Sequence, residues 1–435
     1  MRRMIFSPAL VLSLLATLAP AAPPDTDPPA REPAQFADAE VVREVRSVVS
    51  GMLTRLPNYT CLETLEQTAR APGQSKFRLV DRVRVEVAYV DGTELYAWPG
   101  SPRFDSRELQ QIITTHGAFG TGDFGEHLRA TYGGNLPLLV AGRELMLGRD
   151  AWRFTQIVPA NLSRYDVIVP PARATVAYAA TAWHDTATLA LLRIELLATR
   201  FPLGFPVRRV FKATEYSSVT VNGVPVRLPA MTELSMTTRN GIENRTVSTF
   251  SNCREYKGES KLTFEEPASD PAGLPPQSVE TLSLPAGLEV SVRLDDAVEL
   301  TQAARGDLIA MTVVKDVVKK GRKLLSSGAK VMGRWQYFGC EDRPIAYCFA
   351  TLSTESFEDG TRSGPFAATL ESPSWERDTA YGGRSFNQGR DLIVPEEIKH
   401  LKKDVSALYT GIITKLPRGY RLIWRTLEVS GGSKP

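Results

Sequence analysis

A glycine-rich segment, Gly120 to Gly125, has the residue spacing of a phosphate-binding loop. It reads GTGDFG and fits G-x-G-x-x-G, the pattern that cradles pyrophosphate in dinucleotide-binding folds. In those folds the loop follows a strand, which delivers the backbone amides to the phosphate. Here the preceding residues have helical spacing and begin with a capping box of Asp105 and Glu108. We therefore interpret the segment as a turn into a second helix capped by Asp123 and Glu126, and predict no nucleotide cofactor.

Residues that could act as nucleophile, general base or metal ligand are few and scattered. The chain has four histidines, and the nucleophile elbow G-x-S-x-G does not occur. The neighbouring carboxylates of Asp295 and Asp296 would point to opposite faces of a strand, so they could not flank one glycosidic bond. His116 at a predicted helix end and His184 beside a predicted turn occupy positions typical of solvated side chains. The sequence favours a non-enzymatic protein, with an exported hydrolase as the third alternative.

Four cysteines, Cys61, Cys253, Cys340 and Cys348, are an even number and indicate disulfides if the chain is exported. Cys340 and Cys348 could close a hairpin, while Cys61 and Cys253 flank the N-terminal domain. On a loop-entropy model the second bond would stabilise the fold by roughly 4 to 5 kcal/mol. The alternative is a metal bound by all four thiolates, but no C-x-x-C occurs and the histidines have no ligand spacing, so we predict no metal.

The N-terminus, MRRMIFSPALVLSLLATLAPAAPP, has the layout of a secretory signal peptide. Two arginines precede an apolar stretch, 4–18, and a small-x-small signal predicts cleavage between Ala21 and Ala22. A membrane anchor is the alternative, but the stretch is short for a bilayer and is interrupted by proline. We predict a signal peptide over 1–21, a Pro-rich linker over 22–36, and a periplasmic or secreted mature protein without a transmembrane segment.

The charge balance excludes a dedicated nucleic-acid binder. The 435 residues carry a formal net charge of +3, part of which belongs to the leader arginines. One basic cluster lies in KDVVKKGRKLL, where it could hold anionic lipid headgroups or acidic glycan, or could simply be a soluble hairpin tip. Its members are Lys315, Lys319, Lys320, Arg322 and Lys323.

Three N-x-S/T triplets, at Asn58, Asn161 and Asn244, would accept glycans only in a eukaryotic secretory route, and chance explains them equally well.

The first domain, 37–265, is predicted to be a helix followed by a large antiparallel sheet with two short inserted helices. Apolar residues from Val41 to Leu56 fall on one helical stripe, after which the period changes to two. One face of the long strand that follows would carry Phe77, Leu79, Val83, Val85, Val87 and Tyr89. Hairpin signals such as Asn222-Gly223 and Asn240-Gly241 then recur up to Tyr256.

Two stretches of this domain resemble the periplasmic lipoprotein-carrier family, which is LolA-like and shares its fold with RseB. They are Trp183-x-Asp185-x-x-Thr188, followed by Arg193-Ile194, and VNGVPVRLP from Val221 to Pro229. The resemblance implies a half-barrel wrapped around a helical plug, which would bind a lipid or an acylated polypeptide. Aromatic residues on its strands would then line a cavity, or else form ordinary core. They are Tyr96, Trp98, Trp152, Phe154 and Trp183.

A Pro-rich linker, 266–283, leads into a second, all-β domain over 284–435. LPAG before a strand, a turn at Gly306-Asp307 and the strand from Gly328 to Arg334 resemble the small barrel of the TrbI-like conjugation and type IV secretion family. An irregular polar insertion is predicted at about 373–409, with a closing strand that returns to the barrel.

The predicted fold class is therefore mainly β with a few helices (α+β): a LolA-like half-barrel with a helical plug, then a small β-barrel. The predicted function is non-enzymatic binding of an apolar ligand or acylated polypeptide in the cell envelope, with a possible envelope protein partner. The alternative is a structural or regulatory interaction protein of the envelope.

Overall fold

The computed structural model describes residues 38–101, 104, 118–256, 280–341, 347–373, 405–411 and 415–428. The predicted signal peptide with its cleavage site at Ala21 and Ala22, the linker 22–36, and the capping box of Asp105 and Glu108 lie outside these residues. No helix among the described residues combines the length and apolar character needed to cross a bilayer.

The first sheet has ten antiparallel strands in the order β3-β2-β1-β12-β11-β10-β9-β8-β5-β4, with a separate β6-β7 hairpin. Because β1 pairs with β12, the first and last strands of this unit lie side by side within the sheet. The elements are α1 (Asp38–Arg55), β1 (Tyr59–Arg70), β2 (Arg78–Val90), β3 (Thr93–Ala97), α2 (Glu126–Tyr132), β4 (Leu139–Met146), β5 (Arg149–Val158), β6 (Asp166–Val169), β7 (Ala172–Thr175), β8 (Ala177–Asp185), β9 (Leu191–Arg200), β10 (Val207–Val221), β11 (Val224–Thr238) and β12 (Glu243–Glu255).

Both described helices fill the inner face of this curled sheet. The buried stripe Val41, Val45 and Val49 of α1 packs with Leu128 and Tyr132 of α2 against inward side chains of β5, β8 and β9. The four-residue spacing of these valines puts them on one helix face, and burying them offsets the entropy of ordering α1. A curled antiparallel sheet around a helical plug is the predicted architecture, and the predicted α+β class is confirmed.

A row of polar side chains crosses the inner face of the sheet, and we call it the polar row. Its members are Gln156, Lys212, Thr246, Gln67 and Asp81, aligned through the pairings of β5, β8, β9, β10, β11, β12, β1 and β2. All five are buried. Since buried polar groups need partners, this row decides what can be placed inside the half-barrel.

The long predicted strand is β2, but one predicted core position on it is wrong. Leu79 is 55% exposed, whereas Asp81 is buried at 2% exposure. The register between β1 and β2 shifts at Gln67 and Thr68, and this bulge turns Leu79 away from the inner face.

The second sheet runs β13-β21-β20-β19-β16-β14-β25-β22, with β23 pairing β20. It curls until β22 approaches β23, where the Leu370 N–H donates to Ser406 Oγ at 2.8 Å. Two small two-stranded sheets, β15-β24 and β17-β18, accompany it. The strands are β13 (Glu280–Thr281), β14 (Glu289–Leu294), β15 (Val298–Glu299), β16 (Leu308–Val313), β17 (Val317–Lys319), β18 (Arg322–Leu325), β19 (Lys330–Glu341), β20 (Tyr347–Asp359), β21 (Arg362–Pro365), β22 (Ala368–Pro373), β23 (Val405–Gly411), β24 (Lys415–Leu416) and β25 (Arg421–Thr426).

The end of the predicted irregular insertion at 373–409 is a strand instead. Residues from Val405 onward form β23, which pairs with β20 and buries Leu408. The free edge of β20 supplies hydrogen-bond partners that the local sequence does not reveal. The closing strand β25 does return to the sheet, between β14 and β22.

The structure joins Cys61 on β1 to Cys253 on β12 by a disulfide. Cys340 and Cys348 are direct register partners of β19 and β20, so their backbones face each other. A bond between this second pair stays a prediction.

The two sheets are docked through β2 and the loop before β16. Arg305 donates its N–H to Arg82 O at 2.8 Å and accepts from the Arg84 N–H at 2.8 Å, so the loop adds to β2 as a parallel bridge. The Arg305 guanidinium lies 2.7 Å from the Asp81 carboxylate, and both side chains are buried. Burial raises the pKa of Asp81 to about 6 although Arg305 opposes this shift. Arg84 also pairs with Asp307 at 2.5 Å.

Two more groups complete this interface. Gly306 has φ +97°, and a Cβ there would lie 2.3 Å from Arg84 O and 2.6 Å from the Trp98 ring. Arg334 on β19 donates to Gly306 O at 2.6 Å, to Pro99 O at 3.0 Å and to Glu355. The predicted Gly306-Asp307 turn and Arg334 on β19 therefore both contact the first unit.

Thiol mapping tests the disulfide pattern. We expect alkylation of the unreduced mature protein to leave all four cysteines unlabelled, and peptide mass analysis to recover Cys61 linked to Cys253 and Cys340 linked to Cys348. Reduction should lower stability by about 5 kcal/mol, because the first bond closes a loop of 192 residues. Labelling of Cys61 or Cys253 without reductant would contradict the structure.

Substitution of Gly306 tests the docking of the two sheets. Gly306→Ala should cost at least about 2 kcal/mol more than Gly321→Ala in urea unfolding, because the new methyl group collides with β2. Gly321 is a matched control, since it also has positive φ, +77°, but a Cβ there meets no atom within 4 Å. Equal costs for the two variants would show that the approach to Arg84 is unimportant.

Candidate functional site

The segment from Gly120 to Gly125 lies inside the half-barrel, where its amides bind a carboxylate of this chain. The N–H groups of Gly122 and Phe124 donate to Glu94 at 2.7 and 2.9 Å. Tyr96 Oη donates to the same carboxylate at 2.8 Å. Glu94 therefore holds the amides that a phosphate would require.

Asp123 does not cap α2, which is a correction to the prediction from the capping pattern. The N-cap of α2 is Gly125, with no side-chain cap hydrogen bond. Asp123 turns into the half-barrel, where Lys212 of the polar row lies 3.2 Å away and Thr214 and Thr232 donate to it at 2.7 and 3.1 Å. Burial alone would raise the pKa of Asp123, but the Lys212 ammonium and these hydrogen bonds hold it below its usual range.

Other titratable groups surround this ion pair. Burial and the nearby Asp123 charge raise the pKa of Glu94. Burial raises the pKa of Glu63 to about 8, against a hydrogen bond from Ser248. Burial, with the Lys212 charge, lowers the pKa of His127 to about 3, so its ring is neutral near pH 7.

The polar row donates hydrogen bonds to carbonyl groups of the loop before α2, of the last turn of α2 and of the residues that follow it. Lys212 Nζ donates to Thr121 O at 2.7 Å, and Gln67 and Thr246 donate to Ala118 O at 3.2 and 2.6 Å. Gln156 donates to Thr131 O and Leu136 O. Lys212, Asp123 and Glu94 therefore hold the loop before α2 against the sheet, since each of them already binds a partner within this chain.

An open groove of about 780 Å³ lies between α1 and the residues that lead into β4. Ala39, Val42, Leu138 and Leu139 give it apolar walls, and Leu139 is 60% exposed. Arg46 crosses the groove floor and donates to the carbonyls of Gly134 and Leu136 at 2.8 Å each, as well as to Tyr132 O. This volume is in the range of pockets that hold small apolar ligands.

The five aromatic residues predicted as ligand-lining do not meet around one cavity. Tyr96 and Trp98 belong to a cluster around β1 and β2, and Trp98 also contacts the second sheet. Trp152 and Phe154 pack under α1. Trp183 lies on the opposite face of the sheet, where its indole N–H donates to Glu144 at 2.6 Å.

The predicted basic cluster is the β17-β18 hairpin and its flanks. Lys320 and Gly321, both with positive φ, form the turn. Lys323 pairs with Asp316 at 2.9 Å, and Lys315 lies 3.6 Å from Glu289. Acids therefore neutralise part of the cluster.

His184 is fully buried, so its predicted solvated position is wrong. Its ring lies 2.6 Å from Tyr132 Oη and 2.9 Å from Leu189 O, and burial lowers its pKa to about 4. Asp185 beside it accepts from the backbone and side chain of Thr188, which explains the W-x-D-x-x-T pattern as turn chemistry.

Sequence reasoning missed Lys212, Glu94 and Glu63. A signal for Lys212 was present: Val210, Thr214 and Tyr216 share its parity on β10 and are buried with it. A lysine at a core position of an alternating strand predicts a buried acid, although only the fold identifies that acid as Asp123.

Glu63→Gln tests the buried carboxyl. In the folded protein Glu63 keeps its proton up to about pH 8, whereas a model carboxyl loses it near 4.5. The stability that the group contributes is complete below about pH 4.5 and is lost as pH rises through 8, at about 1.4 kcal/mol per unit of pKa difference. The glutamine variant should therefore match wild type near pH 4 and exceed it at pH 8 to 9 in urea unfolding.

Glu66→Gln on the same strand is the control, because Glu66 is half exposed and paired with Arg82. The free energy of unfolding of each variant is compared with that of wild type at the same pH, so the pH-dependent contribution of His127, which all proteins share, cancels. A constant difference for Glu63→Gln across this range would contradict the raised pKa.

Among known proteins, this chain is similar only in fold, and only to solved structures. The chain matches no protein-family model and no curated protein. A DUF1329 family protein from Desulfovibrio piger is 14% identical, covering 52% of this chain and 97% of its own, with a TM-score of 0.28. A LolA superfamily protein from Nitrosomonas europaea is 13% identical, covering 51% and 95%, with a TM-score of 0.26.

LprF from Mycobacterium bovis is 11% identical, covering 53% of this chain and 96% of its own, with a TM-score of 0.22. At these TM-scores the likenesses do not place the chain in a family. The function is therefore argued from the geometry of this chain.

Proposed function

We propose that this protein is a non-enzymatic, exported cell-envelope protein that binds an apolar ligand, such as a lipid or the acyl chain of an acylated polypeptide. The groove between α1 and β4 carries this proposal. It is open, has mainly aliphatic walls and is large enough for an acyl segment. Each methylene buried there would contribute about 0.8 kcal/mol.

The groove is a better ligand site than the centre of the half-barrel. Within the described residues, α1, α2 and the loop anchored by Lys212 occupy the inner face. A ligand at the centre would have to displace a buried ion pair, which is costly when one partner is left uncompensated. At the groove, a ligand would cover aliphatic side chains that already face solvent.

Export is supported by the leader predicted over 1–21 and by the disulfide between Cys61 and Cys253. Disulfides persist in oxidising compartments such as the periplasm. In this proposal the half-barrel domain, 37–265, holds the ligand, and the TrbI-like domain, 284–435, contacts an envelope partner.

A second candidate is a structural or regulatory interaction protein with no small-molecule ligand. The observation that favours it is the docked interface of Asp81, Arg305 and Arg334, which fixes one sheet against the other. Fixed domains suit a protein that presents surfaces to a partner.

Ligand binding distinguishes the two functions. The natively purified mature protein should yield a reproducible lipid by extraction and mass spectrometry, and the delipidated protein should bind a fluorescent fatty acid. Ala39→Trp should weaken this binding at least about tenfold, because Ala39 lines the groove and the larger indole would occupy part of it. Ser47→Trp is the matched control, since Ser47 is exposed on the same helix away from the groove.

A wild-type protein that is empty as purified and ignores added fatty acid would overturn ligand binding and favour the interaction protein. Equal binding by the two tryptophan variants would move the site away from this groove.

A further inference from the structure

One end of the half-barrel brings together four segments, 70–78, 159–176, 200–209 and 239–245, which we call the basic end. Direct contacts show their proximity. The Arg239 N–H donates to Pro206 O at 2.8 Å, and a Cβ on Gly241 would lie 3.0 Å from Pro72. Phe205 packs with Val167 and Val176 in one buried cluster.

The basic end has a larger net positive charge than the whole chain. Its four segments contain ten arginines and lysines and two acids, whereas the whole chain has a formal net charge of only +3. The remainder of the chain is therefore net acidic. The ten cations are Arg70, Lys76, Arg78, Arg164, Arg173, Arg200, Arg208, Arg209, Arg239 and Arg245.

Both acids of the basic end are already paired. Asp166 binds Arg173, and Glu243 binds Arg70, each at 2.5 Å. Five of the remaining cations are exposed and have no acidic partner in the part of the chain that the structure describes: Lys76, Arg78, Arg164, Arg200 and Arg208. A shallow cavity of about 460 Å³ beside Lys76, Phe77 and Arg78 lies among them.

Aliphatic side chains project from the same end. Leu203, in the loop between β9 and β10, is 100% exposed. Its loop is held by the stacked rings of Phe201 and Phe205 and by hydrogen bonds from Arg239 to Phe205 O and Pro202 O. Two more aliphatic residues here, Leu162 and Ile168, are more than half exposed.

We propose that the basic end docks on the surface of an anionic lipid bilayer. Unpaired cations would be attracted by acidic headgroups, and the exposed leucines and isoleucine would enter the boundary between headgroups and acyl chains. Nucleic acid is less well matched, because single-stranded recognition uses exposed aromatic stacking platforms and these tips are aliphatic.

Docking there would place the groove close to the membrane. Leu136 lines the groove and also packs against the cluster that contains Phe205 and Val167. The surface does not depend on the groove being a ligand site, so the two proposals can fail separately.

Vesicle flotation of the mature protein tests the docking. Phosphatidylcholine vesicles with and without about a third phosphatidylglycerol should be compared at low and high salt. We expect binding to the anionic vesicles only, and a marked loss at high salt because exposed charges are screened.

Two pairs of variants assign the binding to the basic end. Arg200→Glu with Arg208→Glu should lower vesicle affinity at least about tenfold. The matched control is Lys319→Glu with Lys320→Glu, the same charge change in the β17-β18 hairpin, which should have little effect. Leu203→Gln should weaken binding severalfold, while Val224→Gln, at the exposed β10-β11 turn, should not.

No binding to anionic vesicles, or equal losses from both charge-reversal pairs, would overturn the proposal. Loss only in the Lys319 and Lys320 variant would move the lipid surface to the second sheet. Tight binding to heparin or single-stranded DNA without vesicle binding would assign the basic end to another polyanion and would also overturn docking to lipid.

Discussion

The structure of the first unit depends on satisfying the polar row inside a curled sheet. A sheet that buries Lys212, Gln67, Thr246 and Gln156 on its concave face needs hydrogen-bond acceptors there, because an unpaired buried donor is costly. Irregular backbone and the last turn of α2 supply carbonyl groups that are not used within a helix or strand. This requirement explains why the glycine-rich loop from Ala118 to Gly125 contacts the middle of the sheet.

The last member of the polar row extends the same constraint to the second sheet. Asp81 lies at the β2 end of the row and is paired with Arg305 from the other unit. Removing the second sheet would leave a buried carboxyl and the edge around Arg84 without these partners. Gly306 and Arg334 belong to the same interface.

This arrangement separates the surfaces available for binding from the filled interior. The groove at α1 and the basic end both lie outside the anchored plug, and both expose aliphatic side chains. An acyl chain in the groove and a bilayer at the basic end would use the same physical driving force, burial of aliphatic surface, at neighbouring places. Neither requires the buried ion pair of Lys212 and Asp123 to open.

The sequence by itself determined the elements with strong local signals. Alternation and turn residues predicted the meander of strands, valine spacing predicted α1, and the cysteine count predicted the bond between Cys61 and Cys253. Each of these signals is local or compositional.

Only the tertiary structure decided where long-range partners lie. Asp123 has the spacing of a helix cap, but a lysine 89 residues later in the chain draws it into the sheet. Leu79 faces solvent because of a bulge set by pairing with β1, and β23 exists because β20 offers a free edge. The basic end is likewise invisible in the net charge, since its ten cations come from four separated segments that the fold brings together. Local pattern specifies an element, but electrostatic and hydrogen-bond partners across the chain depend on which elements become neighbours.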